Sequence, residues 1–221
     1  MQRLLPFLFQ APCPLCQRSS ANDLCSDCWH QVQSCQISNP ISLWQANPRV
    51  FAWGNYDGAM RRAIAALKYR QQPRLGWALG KGLAGAWLDH QLQLATPAKL
   101  LVIPIPLHPE KLQARGFNQA EIIARSFCRI TNLPLCPHGL IRRRSTLAQA
   151  NLSKGDRQQN LQGAFALGPD CSNQLPGQPV LLLDDIYTTG ATARSAIATL
   201  RQAGIQVYGV AAAAISLSPH A

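Results

Sequence analysis

The sequence predicts an α/β protein with a doubly wound, mainly parallel sheet, preceded by a small module that contains four cysteines. Apolar strands alternate with amphipathic helices after residue 95, which is the pattern of successive strand–helix–strand units. Residues 180–183 are four consecutive apolar residues, typical of a strand that is buried on both faces of a sheet. The 221 residues leave room for one sizeable domain and a small module.

The small module is predicted from Cys13, Cys16, Cys25 and Cys28, which follow the pattern C-x2-C-x8-C-x2-C. This spacing is typical of a tetrahedral zinc site in which each C-x2-C pair forms one knuckle. Such a zinc ion is structural, because four thiolates leave no position open for chemistry. The alternative is a reduced or redox-active pair of dithiols, and Cys35 is a competing ligand without a paired knuckle.

We expect three parts along the chain. Residues 1–35 form the zinc-finger-like module, residues 36–56 form a turn-rich linker or docking segment, and residues 57–221 form the main domain. A weak strand pattern occupies the end of the docking segment. Trp29 and Val32 are the apolar residues that we expect to dock the module onto the main domain.

The first half of the main domain is predicted to be mostly helical. Asp57 is the expected N-cap of a helix that ends near Lys68, and Pro73 begins a second helix with apolar residues at helical spacing. Residues 100–103 form the next strand, and Asn118 caps the following long helix.

The second half begins with a polar, basic stretch over residues 142–160. We interpret it as a mobile loop that runs into a short helix, and the alternative is a solvated basic surface. Residues 165–167 and 207–215 are predicted strands. Residues 191–203 have the apolar spacing of a helix, which ends at Gly204.

The central motif lies between the apolar run and that last helix. Two acids, Asp184 and Asp185, stand where the strand is expected to end, and a small polar loop follows, made of Thr188, Thr189, Gly190, Ala191 and Thr192. A strand, a small-residue loop and a helix N-terminus together suit a phosphate group. The acids must then face something neutral or cationic, such as ribose hydroxyls or Mg²⁺. The loop does not match the Walker A pattern. The alternative to a phosphate site is an ordinary buried strand followed by a polar turn.

The formal net charge is +11, and it predicts an anionic partner. Residues 49–81 carry seven basic and one acidic residue, and residues 99–157 carry ten basic and three acidic residues. A pyrophosphate-bearing substrate, a nucleic acid or both would fit. No run of residues is long and apolar enough to span a membrane, and residues 1–9 lack the features of a signal peptide, so we expect a cytoplasmic protein.

In sequence, the chain resembles the ComF family of phosphoribosyltransferase-like proteins over nearly its full length. Several landmarks occur in the family's order: the paired cysteine knuckles, Leu67-Lys68-Tyr69, Pro104-Ile105-Pro106-Leu107, Arg115-Gly116-Phe117-Asn118-Gln119, the stretch 142–149, Arg157 with Asn160, and residues 184–192. Each landmark alone is weak, and their shared order is specific.

The resemblance implies a type I phosphoribosyltransferase fold with an N-terminal zinc finger, and a site for phosphoribosyl pyrophosphate (PRPP) and Mg²⁺. Asp184 and Asp185 would hold the ribose hydroxyls, directly or through Mg²⁺, and the loop 188–192 would hold the 5-phosphate. Lys68 and the basic loop 142–157 would face the pyrophosphate. Three arginines complete the implied PRPP site: Arg115, Arg143 and Arg157.

Two classes of function remain open at this stage. One is a phosphoribosyltransferase, or a protein that senses PRPP without turnover, whose acceptor the sequence does not identify. The other is a protein of DNA uptake that binds single-stranded DNA and contacts the uptake machinery, the biological setting that the family resemblance implies. Trp29 and Trp44 are candidates for stacking on DNA bases.

Overall fold

A four-stranded parallel sheet forms the centre of the protein, and helices cover both of its faces. The computed structural model describes residues 11–143, 163–171 and 177–216. Along this part of the chain the elements are, in order, β1 (Ala11–Pro12), β2 (Ser19–Ser20), α1 (Ser26–Gln33), β3 (Val50–Asn55), α2 (Gly58–Tyr69), α3 (Arg74–Asp89), α4 (Gln91–Leu94), β4 (Leu101–Pro104), α5 (Pro109–Arg115), α6 (Gln119–Thr131), β5 (Leu140–Arg142), β6 (Phe165–Leu167), β7 (Val180–Tyr187), α7 (Ala191–Gln202) and β8 (Val207–Ile215).

The strand order of the sheet is β3-β8-β7-β4, and each neighbouring pair is parallel. Helices α2, α3 and α6 enclose one apolar core against one face of the sheet. Helix α7 and the antiparallel β5–β6 hairpin enclose a second core against the other face. The doubly wound α/β fold that the sequence predicts is therefore confirmed, with the four-cysteine module before it.

The centre of strand β7 explains the uninterrupted apolar run. Leu181 and Leu183 belong to the first core, whereas Val180 and Leu182 belong to the second, and all four are fully buried. Successive side chains of a strand point to opposite faces of the sheet. A strand that is covered on both faces therefore needs an apolar residue at every position.

Strand β7 is longer than the sequence predicts, because it continues through the two acids to Tyr187. Strand β8 stays paired with β7 as far as Tyr187, whereas β4 pairs with it only as far as Leu183. The expectation that Asp184 and Asp185 follow the end of the strand is therefore wrong. They lie inside β7, at the point where its neighbour on one side leaves the sheet.

Most of the other predicted elements are present at the predicted places. Asn118 caps α6, because its side-chain oxygen accepts a hydrogen bond of 3.2 Å from the backbone N–H of Ala120. Asp57 occupies the N-cap position of α2, although its side chain makes no capping hydrogen bond. The strands predicted at residues 165–167 and 207–215 have the predicted bounds. Most of the basic stretch, residues 144–160, lies outside the described residues.

The docking segment, residues 36–56, contributes a strand and a core side chain to the main domain. Its last part forms β3, the edge strand of the main sheet, which pairs with β8. Trp44 is only 5 % exposed, and its ring packs edge-on against the rings of Trp87 and Tyr208. The suggestion that Trp44 stacks on nucleic acid is therefore wrong, because the ring belongs to the core.

The cysteine module docks onto the main domain through the residues that the sequence predicts. Trp29 is half-buried and stacks on Trp53 with ring centroids 5.8 Å apart, and Val32 is fully buried in the first core. Arg74 of α3 donates hydrogen bonds to the backbone oxygens of Pro12 and Asn22 in the module. Apolar burial and these polar contacts hold the two parts together.

Across the described ranges, none of the helices combines the length and the apolar character that crossing a membrane requires.

Two glycines of α3 provide a test of this packing. A Cβ atom at Gly82 would overlap the ring of Trp53, whereas one at Gly85 would meet nothing within 4 Å. We expect Gly82→Ala to lower the free energy of unfolding by about 1–3 kcal/mol through overpacking. Gly85→Ala should raise it by about 0.5–1 kcal/mol, because alanine favours the helix. Urea unfolding of both variants measures the contrast, and equal effects would contradict the described contact.

Candidate functional site

A cleft of about 240 Å³ opens at the carboxyl ends of β4 and β7, on the side where β4 leaves the sheet. Ligands of parallel α/β sheets commonly bind at this edge. The residues that line the cleft come from five elements (α2, α6, β5, β7 and α7) and from the loops after β4 and β7: Lys68, Ile105, Pro106, Leu107, Gln119, Arg142, Asp184, Asp185, Ile186, Thr188 and Thr192.

Asp185 lines the cleft, but its carboxylate is engaged by groups inside the protein. Its side chain is buried, at 3 % exposure for the residue, and forms an ion pair with the ammonium group of Lys68 from α2. Its Oδ1 atom accepts a hydrogen bond of 3.0 Å from Nε2 of Gln119, the first residue of α6. Gln119 in turn accepts a hydrogen bond from the guanidinium group of Arg115. Asp185 thus ties two helices to the sheet.

The ion pair sets the charge of Lys68. Burial alone would lower the pKa of Lys68, but the nearby charge of Asp185, the hydrogen bond to it and the charge of Asp184 outweigh burial, so the pKa is raised. Lys68 is therefore charged at neutral pH. Because its side chain is 18 % exposed and lines the cleft, part of that charge faces any ligand there.

Asp184 lies in a different environment, although it is the next residue. It is half-buried, and its Oδ1 atom accepts a hydrogen bond of 2.8 Å from the backbone N–H of Asp185. Burial and the negative charge of Asp185 raise the pKa of Asp184 well above its usual value, while Lys68 acts in the opposite direction. A carboxylate whose charge is disfavoured in this way is stabilised by a cation or by hydroxyl donors.

The Thr/Gly loop completes one side of the cleft. Gly190 is the N-cap residue of α7 with φ +73°, and a Cβ atom there would overlap the hydroxyl of Tyr187. The sharp turn therefore requires glycine. Thr188 and Thr192 line the cleft, while Thr189 is exposed and Ala191 is the first residue of α7. The loop brings hydroxyl groups and the N-terminus of a twelve-residue helix to one place, which is a suitable arrangement for phosphate.

Positive charge gathers at the other side of the cleft. Burial lowers the pKa of Lys111, and so do the charges of Arg142, Arg115 and Lys68. Burial also lowers the pKa of Arg142, whereas the charge of Asp184 acts against that change. These four cations therefore share one region, which attracts a multiply charged anion.

The predicted arginines are placed differently from one another. Arg115 contacts Gln119 and lies 5.9 Å from the ring centre of Tyr69, next to the cleft lining. Arg143 is exposed and does not line the cleft. Arg157 lies outside the described residues. Two residues of the site were not predicted from the sequence: Gln119, the partner of Asp185, and Lys111. For Gln119, the available signal was its position just after the cap of α6.

The four cysteines of the module are brought together as the spacing predicts. Cys13 and Cys16 lie around the β1–β2 turn, Cys25 precedes α1 and Cys28 is in its first turn. Their sulfur atoms all lie within 4.8 Å of one another, and the Sγ atoms of Cys16 and Cys25 are 3.5 Å apart. Tetrahedral coordination with Zn–S bonds of about 2.3 Å needs sulfur atoms at such separations. The cluster therefore fits a metal ion such as zinc.

The chemistry of Cys16 also suits a metal. Hydrogen bonds from the backbone N–H and the guanidinium group of Arg18 lower the pKa of Cys16 to about 6. A thiol with a lowered pKa is readily deprotonated, and the thiolate is the form that binds metal.

A larger cavity of about 340 Å³ lies at the opposite edge of the sheet, beside Arg49 and Arg201. It contains neither a carboxylate nor a helix N-terminus among its lining residues. The smaller cleft combines acids, cations and a phosphate-type loop, so it is the better candidate for chemistry.

The parallel sheet and the cleft at its carboxyl edge define an α/β protein with a fold of the phosphoribosyltransferase type. The chain is 30% identical over 214 residues to Competence protein F of Haemophilus influenzae, covering 87% of this chain and 91% of the relative. Competence protein ComFC of Bacillus subtilis is 28% identical, covering 87% and 72% of the two chains. DNA utilization protein YhgH of Escherichia coli K12 is 26% identical, covering 81% and 79%.

No family model matches the chain. The similarity to Competence protein F extends over most of both proteins at 30% identity, so the chain belongs to the ComF family, as the resemblance in sequence indicated.

The two acids should respond oppositely to neutralisation. Asp185→Asn leaves Lys68 partly buried without its counter-charge and should lower the free energy of unfolding by about 3 kcal/mol. Asp184→Asn removes a carboxylate whose folded-state pKa is raised, so the ligand-free variant should be more stable than the wild type at neutral pH.

The pH dependence of the second effect follows from the sign of the shift. A raised folded-state pKa means that the stability linked to protonated Asp184 is lost as the pH rises through that pKa. The stability advantage of Asp184→Asn should therefore grow as the pH rises from about 4, the ordinary pKa of an aspartate, towards the raised folded-state pKa. Thermal unfolding at several pH values measures it, and an advantage that shrinks over this range would contradict the assignment.

Removal of one cluster thiol should abolish metal binding. We expect Cys13→Ser to lose the metal and to destabilise the module, because three ligands hold zinc much more weakly than four. Cys128→Ser, at a buried cysteine outside the cluster, serves as the matched control and should keep its metal. Elemental analysis of purified protein gives the metal content, and an unchanged content in Cys13→Ser would refute the site.

Proposed function

We propose that the chain binds PRPP with Mg²⁺ in the cleft, and that it acts in DNA uptake or utilisation as a phosphoribosyltransferase-like protein. One observation carries the proposal: a half-buried carboxylate with a raised pKa, a cluster of four cations and a Thr/Gly loop at a helix N-terminus surround one cleft. PRPP offers the matching groups, namely vicinal hydroxyls, a pyrophosphate and a 5-phosphate.

The proposal gives the two acids different tasks. Asp184, which lines the cleft with a destabilised charge, would hold the ribose hydroxyls or Mg²⁺. Asp185, with both of its oxygens engaged by Lys68 and Gln119, would position the lysine rather than bind the sugar. The Mg²⁺ ion, when bound, would neutralise part of the pyrophosphate charge.

The other residues follow from the charge of each ligand group. The loop 188–192 would bind the 5-phosphate through backbone N–H groups and threonine hydroxyls. Lys68 and Arg142 would face the pyrophosphate, with Lys111 and Arg115 contributing to the field. That Arg143 and Arg157 of the basic loop also bind PRPP stays a prediction.

Transfer from PRPP breaks the bond between ribose C1 and the pyrophosphate oxygen, and the oxygen takes the bonding electrons. Positive charge then builds on the ribose ring and negative charge on the leaving pyrophosphate. Fixed cations stabilise this separation without reorganising, which is how preorganised sites lower such barriers. Lys68, held by Asp185, is such a fixed cation. The incoming acceptor would form the new bond to C1.

The biological setting is proposed from the relatives. Two of them are named competence proteins and another is named a DNA utilization protein. We therefore propose a cytoplasmic role in handling imported DNA or its breakdown products.

Single-stranded DNA binding without catalysis is the second candidate, which the net charge of +11 favours. It would require a surface separate from the cleft. DNA binding that is steeply weakened by salt and unaffected by Asp184→Asn would support that surface.

Calorimetric titration of PRPP in the presence of Mg²⁺ tests the proposed site. The wild type should bind, and Asp184→Asn should bind at least about tenfold more weakly, because it cannot offer an anionic oxygen. Asp89→Asn changes an exposed acid that does not line the cleft and should bind like the wild type. Absence of binding to the folded wild type would refute the proposal.

The placement of Lys68 has its own test. Lys68→Ala should weaken the binding of PRPP by about tenfold or more and the binding of ribose 5-phosphate much less, because only PRPP carries the pyrophosphate. The double variant Lys68→Ala/Asp185→Asn avoids leaving a buried acid unpaired and should show the same selectivity. Equal weakening of both ligands would overturn the placement.

A further inference from the structure

Two cysteines that are far apart in sequence meet beneath the β5–β6 hairpin. The Sγ atoms of Cys136 and Cys171 lie 3.9 Å apart, and both residues are only 6 % exposed. Neither belongs to the four-cysteine cluster, and 35 positions separate them in sequence. Their contact is therefore a product of the fold.

The backbone holds the two thiols opposite each other. Cys136 precedes β5 and Cys171 follows β6, so they lie at the open end of the hairpin. The N–H of Gly168 donates to the carbonyl oxygen of Gly139 at 3.0 Å. The N–H of His138 donates to a carboxylate oxygen of Asp170 at 2.9 Å. These cross-links between the two chain segments fix their separation.

Gly139 supplies the space in which the thiols meet. A Cβ atom there would lie 2.9 Å from the Sγ atoms of both cysteines, closer than a carbon and a sulfur atom can approach without displacement. Cys136 and Cys171 also belong to the second apolar core. Each thiol is thus largely but not fully buried, and each sulfur has the other as a neighbour.

We propose that Cys136 and Cys171 form a site of oxidative modification. A low-molecular-weight disulfide oxidises the two thiols to a reversible intramolecular disulfide. The sulfur atoms must approach from 3.9 Å to about 2.05 Å. The approach requires the two side chains to rotate about χ1 towards each other. The bond would covalently join the two ends of the β5–β6 hairpin, and Arg142 of this hairpin lines the cleft.

The oxidation follows ordinary thiol–disulfide exchange. The thiolate of Cys171 attacks one sulfur of the oxidant, forms a mixed disulfide and releases one thiolate of the oxidant. The thiolate of Cys136 then attacks Sγ of Cys171 and releases the second thiolate. Two electrons pass from the cysteines to the oxidant, and the two protons that the cysteines lose end on the two released thiols.

The order of attack agrees with the contact between the thiols. The hydrogen bond with Cys136 lowers the pKa of Cys171, whereas the same hydrogen bond raises the pKa of Cys136. Cys128 differs from both. Burial raises its pKa to about 12, and within the described ranges no sulfur contact involves it. Cys128 is therefore the matched control.

The test uses the full, metal-loaded chain treated with oxidised glutathione, followed by alkylation of free thiols, tryptic digestion and mass spectrometry. Residues 130–142 and 158–194 form two tryptic fragments with one cysteine each. We expect these fragments to be joined in the oxidised protein and separate after reduction. Cys128→Ala should give the same joined fragments, and Cys136→Ala should give none.

Thermal unfolding of the oxidised and the reduced wild type provides a second readout. Closing a loop between residues 136 and 171 should raise the midpoint of unfolding by about 5 °C, and reduction should reverse the rise. Folded wild type that yields no joined fragments under oxidation would overturn the proposal. So would an equal rise in Cys136→Ala.

Discussion

The rest of the site depends on one constraint: two adjacent carboxylates on strand β7 share a single neighbouring lysine, Lys68 of α2. Lys68 and Gln119 engage Asp185 inside the protein. Asp184 then stands beside a buried negative charge and has a raised pKa. The structure therefore keeps one carboxylate as an internal anchor and leaves its neighbour with a charge that a ligand can stabilise. This difference between two identical side chains is the source of the proposed binding site.

The fold produces the difference through the parallel sheet. Because β4 stops pairing at Leu183 while β8 continues, the acids lie in a strand that is supported on one side and open on the other. Consecutive residues of a strand point to opposite faces, so Asp185 meets α2 and α6 while Asp184 does not. The loop that follows then delivers the N-terminus of α7 to the same edge. One strand thus supplies the acids and leads directly into the phosphate-type loop.

Sequence periodicity predicted the elements well because burial dictates them: residues 180–183 are apolar at every position, and β8 begins and ends where its apolar run does. The fixed spacing of the four cysteines likewise predicted their cluster. The features that the sequence did not predict depend on contacts between residues that are far apart in the chain. Nothing local indicates that Gln119 reaches Asp185, 66 residues away, or that Trp44 is buried beneath Trp87. The end of β7 was misplaced because pairing with β8, not composition, decides it.

Whether a ligand stabilises the charge of Asp184 can be measured as the number of protons released when PRPP and Mg²⁺ bind. Calorimetry in two buffers with different ionisation enthalpies gives this number, and subtraction of the Asp184→Asn value removes the ionisation of PRPP itself. If the ligand stabilises the charge of Asp184, the wild type should release more protons than Asp184→Asn, most clearly at the acid end of a series from about pH 5 to pH 8. Equal proton release by both proteins at every pH would contradict the account.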